Sequence, residues 1–182
     1  MRVIAIVGSI REESYNLKLA QYMKDRYKNK LDIEITNIRN LPIYNEDIEK
    51  ETPEAVSQLT KRVKEADAVL WVTPEYNYSI TGVLKNAIDW LSRGEKVMLG
   101  KPSWIVGASM SMMGSLRAQN HLRDILISPG ISSPLLPGNE VYIGLVHEKF
   151  NETELVHEPT IVYLDKVAAN FITWFDQQVR KN

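Results

Sequence analysis

The chain has 182 residues, 22 basic and 23 acidic side chains, a formal net charge of −1, 44% apolar residues and no cysteine. That length suits one domain with a sizeable core. The absent thiols exclude disulfide scaffolds, thiolate metal sites and cysteine nucleophiles, and the balanced charge gives no electrostatic reason to seek nucleic acid or an anionic membrane. Apolar runs such as Val3–Val7 and Ala68–Val72 are strand-sized, far short of the roughly 18 residues a membrane span needs. With only Arg2 ahead of the first run, no signal peptide is expected. The expectation is one cytoplasmic domain over residues 1–182.

Arg2–Val7 is continuous and β-branched, the pattern of a strand buried on both faces. A helix is expected from Ser14 to about Tyr27, with Leu17, Ala20, Tyr22 and Met23 near helical spacing. Leu31–Ile38 alternates as a second strand. Thr52, with Pro53 at the first helical position, opens a second helix that sets Ala55, Val56, Leu59 and Val63 on one face. Ala68–Thr73 reads as a third strand, and Thr81–Ser92 as a third helix closed by Gly94. Ser103–Ser109 is a fourth strand and Ser115–Leu126 a fourth helix. The stretch Ile131–Ile143, broken by Pro134, Pro137 and Gly138, carries a fifth strand somewhere within it. Pro159 precedes a last helix through Phe171 and Trp174 to about Val179. Strands alternating with helices point to βαβ units and a parallel sheet covered on both faces.

Such sheets bind ligands beyond the carboxyl ends of their strands, so three loops matter most. In Gly8–Asn16, Gly8 permits a sharp exit and the next helix offers open N–H groups and a positive dipole end. Ser9, Ser14 and Asn16 add polar donors and Arg11 a charged fork, which together suit a phosphomonoester. The plainer reading makes Ser14 an N-cap and Arg11 a solvated loop charge. Neither Gly-x-Gly-x-x-Gly nor Gly-Lys-Ser/Thr is present here, which argues against a classical nucleotide loop. In Pro74–Ile80, the backbone and Asn77 can bond the polar edge of a flat heterocycle while Tyr76 packs near its plane. The alternative is a Pro-initiated turn with two surface tyrosines. The small, uncharged loop Met110–Gly114 can lie close to a ring, or its methionines can simply fill core. Gly107-x-Ser109-x-Ser111 also comes near the nucleophile elbow of serine hydrolases, with His121, His147 and His157 downstream as potential bases. The three histidines lack metal-ligand spacing.

Gly8-Ser9-Ile10-Arg11 with Ser14 and Asn16, Thr73-Pro74-Glu75-Tyr76-Asn77-Tyr78-Ser79, and Leu84–Arg93 jointly resemble the NADPH-dependent FMN reductase family, the flavodoxin-like group of quinone, chromate and azo-dye reductases. The likeness continues through Gly100-Lys101-Pro102 and Leu116–Arg123. It implies a flavodoxin-like three-layer α/β sandwich with five parallel strands in the order 2-1-3-4-5. It further implies non-covalent FMN, with NADPH or NADH as co-substrate and hydride passing in and out over one flavin face. By the same resemblance Ser9, Arg11, Ser14, Tyr15 and Asn16 take the phosphate, Pro74, Glu75, Tyr76 and Asn77 hold the ring, and Ser109 touches its other side. No side chain needs a catalytic acid–base role, since the protein positions and tunes the flavin. The implied partners are quinones, azo compounds or free flavin, together with a second copy in a homodimer or homotetramer. A competing class is the flavodoxin-type electron carrier, which is usually strongly acidic; the charge of −1 speaks against it. The chain departs from the family at Thr81, where Pro is common, and at Ser111 and Ser115, where Gly is common. Thr81 can cap a helix, while Ser111 and Ser115 are expected where the ring or nicotinamide approaches. Tyr78, Leu84, Trp90 and the Leu116–Leu126 helix are candidates for contacts with another copy, or for core.

Overall fold

The computed structural model describes residues 1–179. Five parallel strands, β1 (Arg2–Val7), β2 (Asp32–Thr36), β3 (Ala68–Val72), β4 (Ser103–Ala108) and β5 (Val141–Ile143), form a sheet of order β2-β1-β3-β4-β5. The fifth strand thus occupies the last three residues of the expected stretch; Leu135 makes only an isolated bridge to Ser103. The sheet is covered by α1 (Tyr15–Tyr27), α2 (Glu54–Glu65), α3 (Gly82–Leu91), α4 (Leu116–Leu126) and α5 (Glu158–Val179). Because strand side chains alternate, β1 feeds two cores. Val3, Ala5 and Val7 pack with Leu19 and Met23 of α1 and Phe171 of α5. Ile4 and Ile6 pack with Val63 of α2, Leu84 and Ile88 of α3, and Leu122 of α4. Double coverage is why β1 and β3 read as unbroken apolar runs.

Several local expectations shift. In α1 the inward face is Asn16, Leu19, Ala20, Met23 and Tyr27, whereas Leu17 is exposed. Pro53 is the N-cap of α2 rather than its first helical residue, and Thr52 Oγ1 donates to the Glu49 carbonyl (2.9 Å). Pro159 lies inside the first turn of α5, where its missing N–H costs nothing. The sequence pattern did not reveal the short antiparallel pair β6 (Phe150–Asn151) and β7 (Glu154–Leu155). At the amino edge of the sheet, Lys101 donates to the Ala66 carbonyl at the end of α2, and burial lowers its pKa. Among the described residues no helix is long and apolar enough to cross a membrane.

Candidate active site

Three loops meet at the carboxyl ends of β1, β3 and β4, and hydrogen bonds fix them to one another. Gly8 N–H donates to the Val72 carbonyl (2.8 Å), and Thr81 Oγ1 donates to the Gly8 carbonyl (2.7 Å) while accepting from Leu84 N–H (3.2 Å). Thr81 is therefore both the cap of α3 and a tie to the first loop. Asn16, buried on the first turn of α1, spans to β4: its Nδ2 donates to the Ala108 carbonyl (2.9 Å) and its Oδ1 accepts from Ala108 N–H (3.0 Å).

The helix N-termini at this mouth differ. Thr81 caps α3. The residue before α4, Ser115, is left-handed (φ 66°) and makes no side-chain cap. Glu75 replaces it from the neighbouring loop, its carboxylate accepting from Arg117 N–H (2.8 Å) and Ala118 N–H (3.1 Å). At α1 the Ser14 hydroxyl accepts from Leu17 N–H (3.4 Å) and is left with its own proton to donate. The N–H groups of Tyr15 and Asn16 precede the first intrahelical bond and stay open. No acidic residue stands in that first turn, and the Glu13 carboxylate beside it is paired with Lys18 (3.0 Å). Ser14 and Thr81 cap their helices alike and neither first turn is acidic, but Thr81 spends its hydroxyl proton on the Gly8 carbonyl and α4 is closed by a carboxylate, so of the three ends α1 is the one that keeps a cap proton to offer an anion.

Around that end, Ser9 Oγ accepts from Arg11 N–H (3.4 Å), and the exposed Arg11 guanidinium donates to the Glu13 carbonyl (2.5 Å). Arg39, unforeseen in the sequence, reaches from the segment after β2 and donates to the Ile10 carbonyl. Its own backbone is set by Asn37, whose Oδ1 accepts from Arg39 N–H (2.7 Å). An Asn two residues before an Arg is too common a pair to signal this from sequence.

The loop after β3 is a tight turn. Tyr76 and Ser79 exchange two backbone hydrogen bonds (3.0 Å each), and Asn77 (φ 51°) and Tyr78 (φ 64°) are both left-handed. This is the geometry of a type I′ turn, ordinary for Asn and costly for Tyr. Tyr78 is held there by the Arg117 guanidinium, 3.7 Å from its ring centroid. Tyr76 and Tyr78 are exposed. A cleft of about 500 Å³ lies beside the turn, lined by Gly8, Ser9, Ile10, Arg39, Tyr76 and Asn86 among others.

In the third loop, Ser109 N–H donates to the Ile143 carbonyl (2.9 Å) and Ser109 Oγ lies 3.0 Å from Ser111 Oγ. Ser111 is exposed at the mouth as expected, but Ser115 is buried, with Gln119 Nε2 donating to its hydroxyl (3.2 Å). It packs under α4 and does not face a ligand. Leu84 and Trp90 are core. Tyr15 is half-buried against Phe150 (centroids 6.2 Å apart). A hydrolase reading gains nothing: His121 Nδ1 pairs with Ser79 (2.7 Å), His157 Nδ1 with Thr160 (2.8 Å), and His147 faces Glu148 (3.6 Å). A separate hollow of about 460 Å³ between α2 and α3 lies away from the strand ends, and most of its charges are paired, Lys64 with Glu95 and Arg93 with Glu49 (3.5 Å).

Removing the Glu75 carboxylate leaves two N–H groups of α4 without a partner. Glu75→Ala should lose about 1 kcal/mol, the usual worth of a helix cap, read as a melting temperature lower by roughly 2–4 °C. Glu75→Gln, which keeps one acceptor oxygen, should recover part of it. Equal melting of all three proteins would show that the cap does not hold the loop.

Residues 1–148 match the family model described as NADPH-dependent FMN reductase. The chain is 36% identical to a subunit of an NADH:(hydroxy)cinnamate reductase from Vibrio ruber, covering 100% of this chain and 90% of that one. It is 37% identical to a quinone reductase from Pseudomonas putida, over 94% and 93% of the two chains. Among solved structures it superposes on the flavoenzyme NAD(P)H:(acceptor) oxidoreductase of Paracoccus denitrificans with a TM-score of 0.89 and 32% identity, covering 97% and 98%.

Proposed function

The chain belongs to the NADPH-dependent FMN reductase family, and from that premise we propose that the open N-terminus of α1 seats the phosphate of FMN while the turn at Tyr76–Ser79 and the loop from Ser109 flank its ring. The activity is that of an NAD(P)H-dependent FMN oxidoreductase. The observation that carries the placement is the contrast among helix ends: Thr81 at α3 has spent its hydroxyl proton on the Gly8 carbonyl and α4 is closed by the Glu75 carboxylate, whereas at α1 the Ser14 proton stays free beside Ser9 and the Arg11 guanidinium.

FMN held there would supply two-electron hydride chemistry between a nicotinamide and an organic acceptor. The protein's part is to bind and orient. Ser9 and Ser14 offer hydroxyl protons to phosphate oxygens and Arg11 a charged fork. Tyr15 and Asn16 contribute through their backbone N–H groups, since the Asn16 amide is engaged at both ends by Ala108. Glu75 is turned toward α4, so Pro74, Glu75, Tyr76 and Asn77 meet the ring with backbone groups and the Tyr76 face. Ser109 closes the other side with its hydroxyl.

Quinones, azo compounds and free flavin are the proposed acceptors, in keeping with the relatives' names. The exposed Tyr76 and Tyr78 at the mouth support a second copy packing beside the site, as a homodimer or homotetramer; the reading is of single-domain, cytoplasmic chains.

Purified protein should be yellow, and anaerobic stopped-flow mixing with NADH or NADPH should bleach it, with colour returning on addition of a quinone. A flavin that binds and stays oxidised would instead identify an electron carrier, and a colourless protein that takes up no FMN would overturn the placement. Arg11→Ala should weaken FMN binding roughly 10- to 100-fold, the worth of a charge-assisted hydrogen bond, measured by quenching of flavin fluorescence.

A further inference from the structure

Three of the chain's six methionines stand in the four residues Met110–Met113, and their exposure is 58% (Met110), 81% (Met112) and 53% (Met113). Met23 and Met98 are 2% and 0% exposed. The loop cannot fold its thioethers inward, because its backbone is pinned on β5 and the turn after it. Leu145 N–H donates to the Ser111 carbonyl (3.0 Å) and Val146 N–H to the Ser109 carbonyl (3.1 Å). The Met112 carbonyl lies so near Gly144 that a Cβ there would stand 2.2 Å from it. Ser109, at the root of the loop, belongs to the proposed flavin site. With no cysteine in the chain, these sulfurs are its accessible oxidisable groups at the mouth.

We propose that Met110, Met112 and Met113 are a self-oxidation site, converted to sulfoxides by hydrogen peroxide released at the mouth when dioxygen replaces the organic acceptor. This rests on the flavin placement proposed above. The electrons balance in two steps. A nicotinamide hydride and a proton reduce dioxygen to hydrogen peroxide, giving the oxidised nicotinamide. Each thioether sulfur then takes one oxygen atom from peroxide, whose O–O bond breaks, and the other oxygen leaves as water. The product exchanges a flexible apolar tip for a polar, chiral one, so the rim loses apolar character in proportion to the time spent turning over without an acceptor.

The test uses the holoprotein in air with NADH and no quinone, followed by digestion and mass mapping of every methionine. Met110, Met112 and Met113 should each gain about 16 Da while Met23 and Met98 do not. The gain should exceed severalfold that in holoprotein kept without NADH and given hydrogen peroxide at the concentration the first sample accumulates. Peroxide production with no sulfoxide at these positions, or equal sulfoxide in both samples, would overturn the inference. A protein that binds no flavin and consumes no NADH would instead refute the placement on which it rests.

Discussion

Asn16→Leu should lower the stability of the fold by about 2–6 kcal/mol. The Asn16 side chain satisfies both backbone groups of Ala108 at once, at 2.9 and 3.0 Å, and is itself 3% exposed. Leucine fills similar space and bonds neither, so an N–H and a carbonyl at the end of β4 become buried and unpaired, at about 1–3 kcal/mol each. At roughly 2–4 °C per kcal/mol for a chain of this size, thermal unfolding should move down by roughly 4–24 °C. Asn16→Asp separates the two bonds: it still accepts from Ala108 N–H but turns a carboxylate oxygen toward the Ala108 carbonyl, and should also melt early. If both variants unfold within about 1 kcal/mol of the parent, the amide pair is not what joins α1 to β4. FMN titration below the variants' unfolding range then reads the second effect, since a loop released from β4 should bind phosphate more weakly without any loss of a phosphate ligand.

Gly107→Ala should be at least as damaging. A Cβ on Gly107 would lie 2.0 Å from Ser115 Oγ, 2.4 Å from the Thr73 carbonyl and 2.9 Å from Gln119 Nε2. A hydroxyl can rotate away, but the Thr73 backbone is held by its bond to the Val106 carbonyl (3.0 Å) and cannot retreat without opening the sheet between β3 and β4. Overpacking a core ordinarily costs 1–3 kcal/mol; with a rigid carbonyl as the neighbour, about 3 kcal/mol or more is expected here. The companion variant Gly107→Ala/Ser115→Gly removes the nearest atom and leaves the carbonyl, so it should restore stability only in part. Full restoration, measured by denaturant unfolding, would place the whole conflict on the serine.

These two residues mark how much was legible beforehand. The order of elements could be read because parallel strands covered on both faces leave unbroken apolar runs, as in Val3–Val7 and Ala68–Val72, and helices between them leave a different period. Sequence located the three loops at the strand ends, and the structure brings them together. What pattern could not reveal is how a side chain divides its bonds. Asn16 reads as a phosphate donor and is occupied by Ala108; Glu75 reads as a ring contact and caps α4; Ser115 reads as a mouth residue and is buried. Each depends on a partner distant in sequence, 92 residues away for Asn16 and 42 for Glu75 with Arg117. The inward face of α1 was misjudged for a related reason: Leu17 and Leu19 are equally apolar, and only the direction in which the helix meets the sheet selects Leu19.

The cap that Glu75 places on α4 has a consequence for reduction potential. A carboxylate beside a flavin ring ordinarily opposes its reduction, because the incoming electrons add negative charge next to charge already present. Here the carboxylate accepts two N–H groups at a helix end that carries roughly half a positive charge, so about half of its field is offset within the protein. Under the proposed placement the loop keeps an acidic residue for its architecture while its charge weighs on electron uptake at about half strength. Glu75→Gln should then raise the midpoint potential by less than removal of an uncapped carboxylate would, even as it loosens the loop.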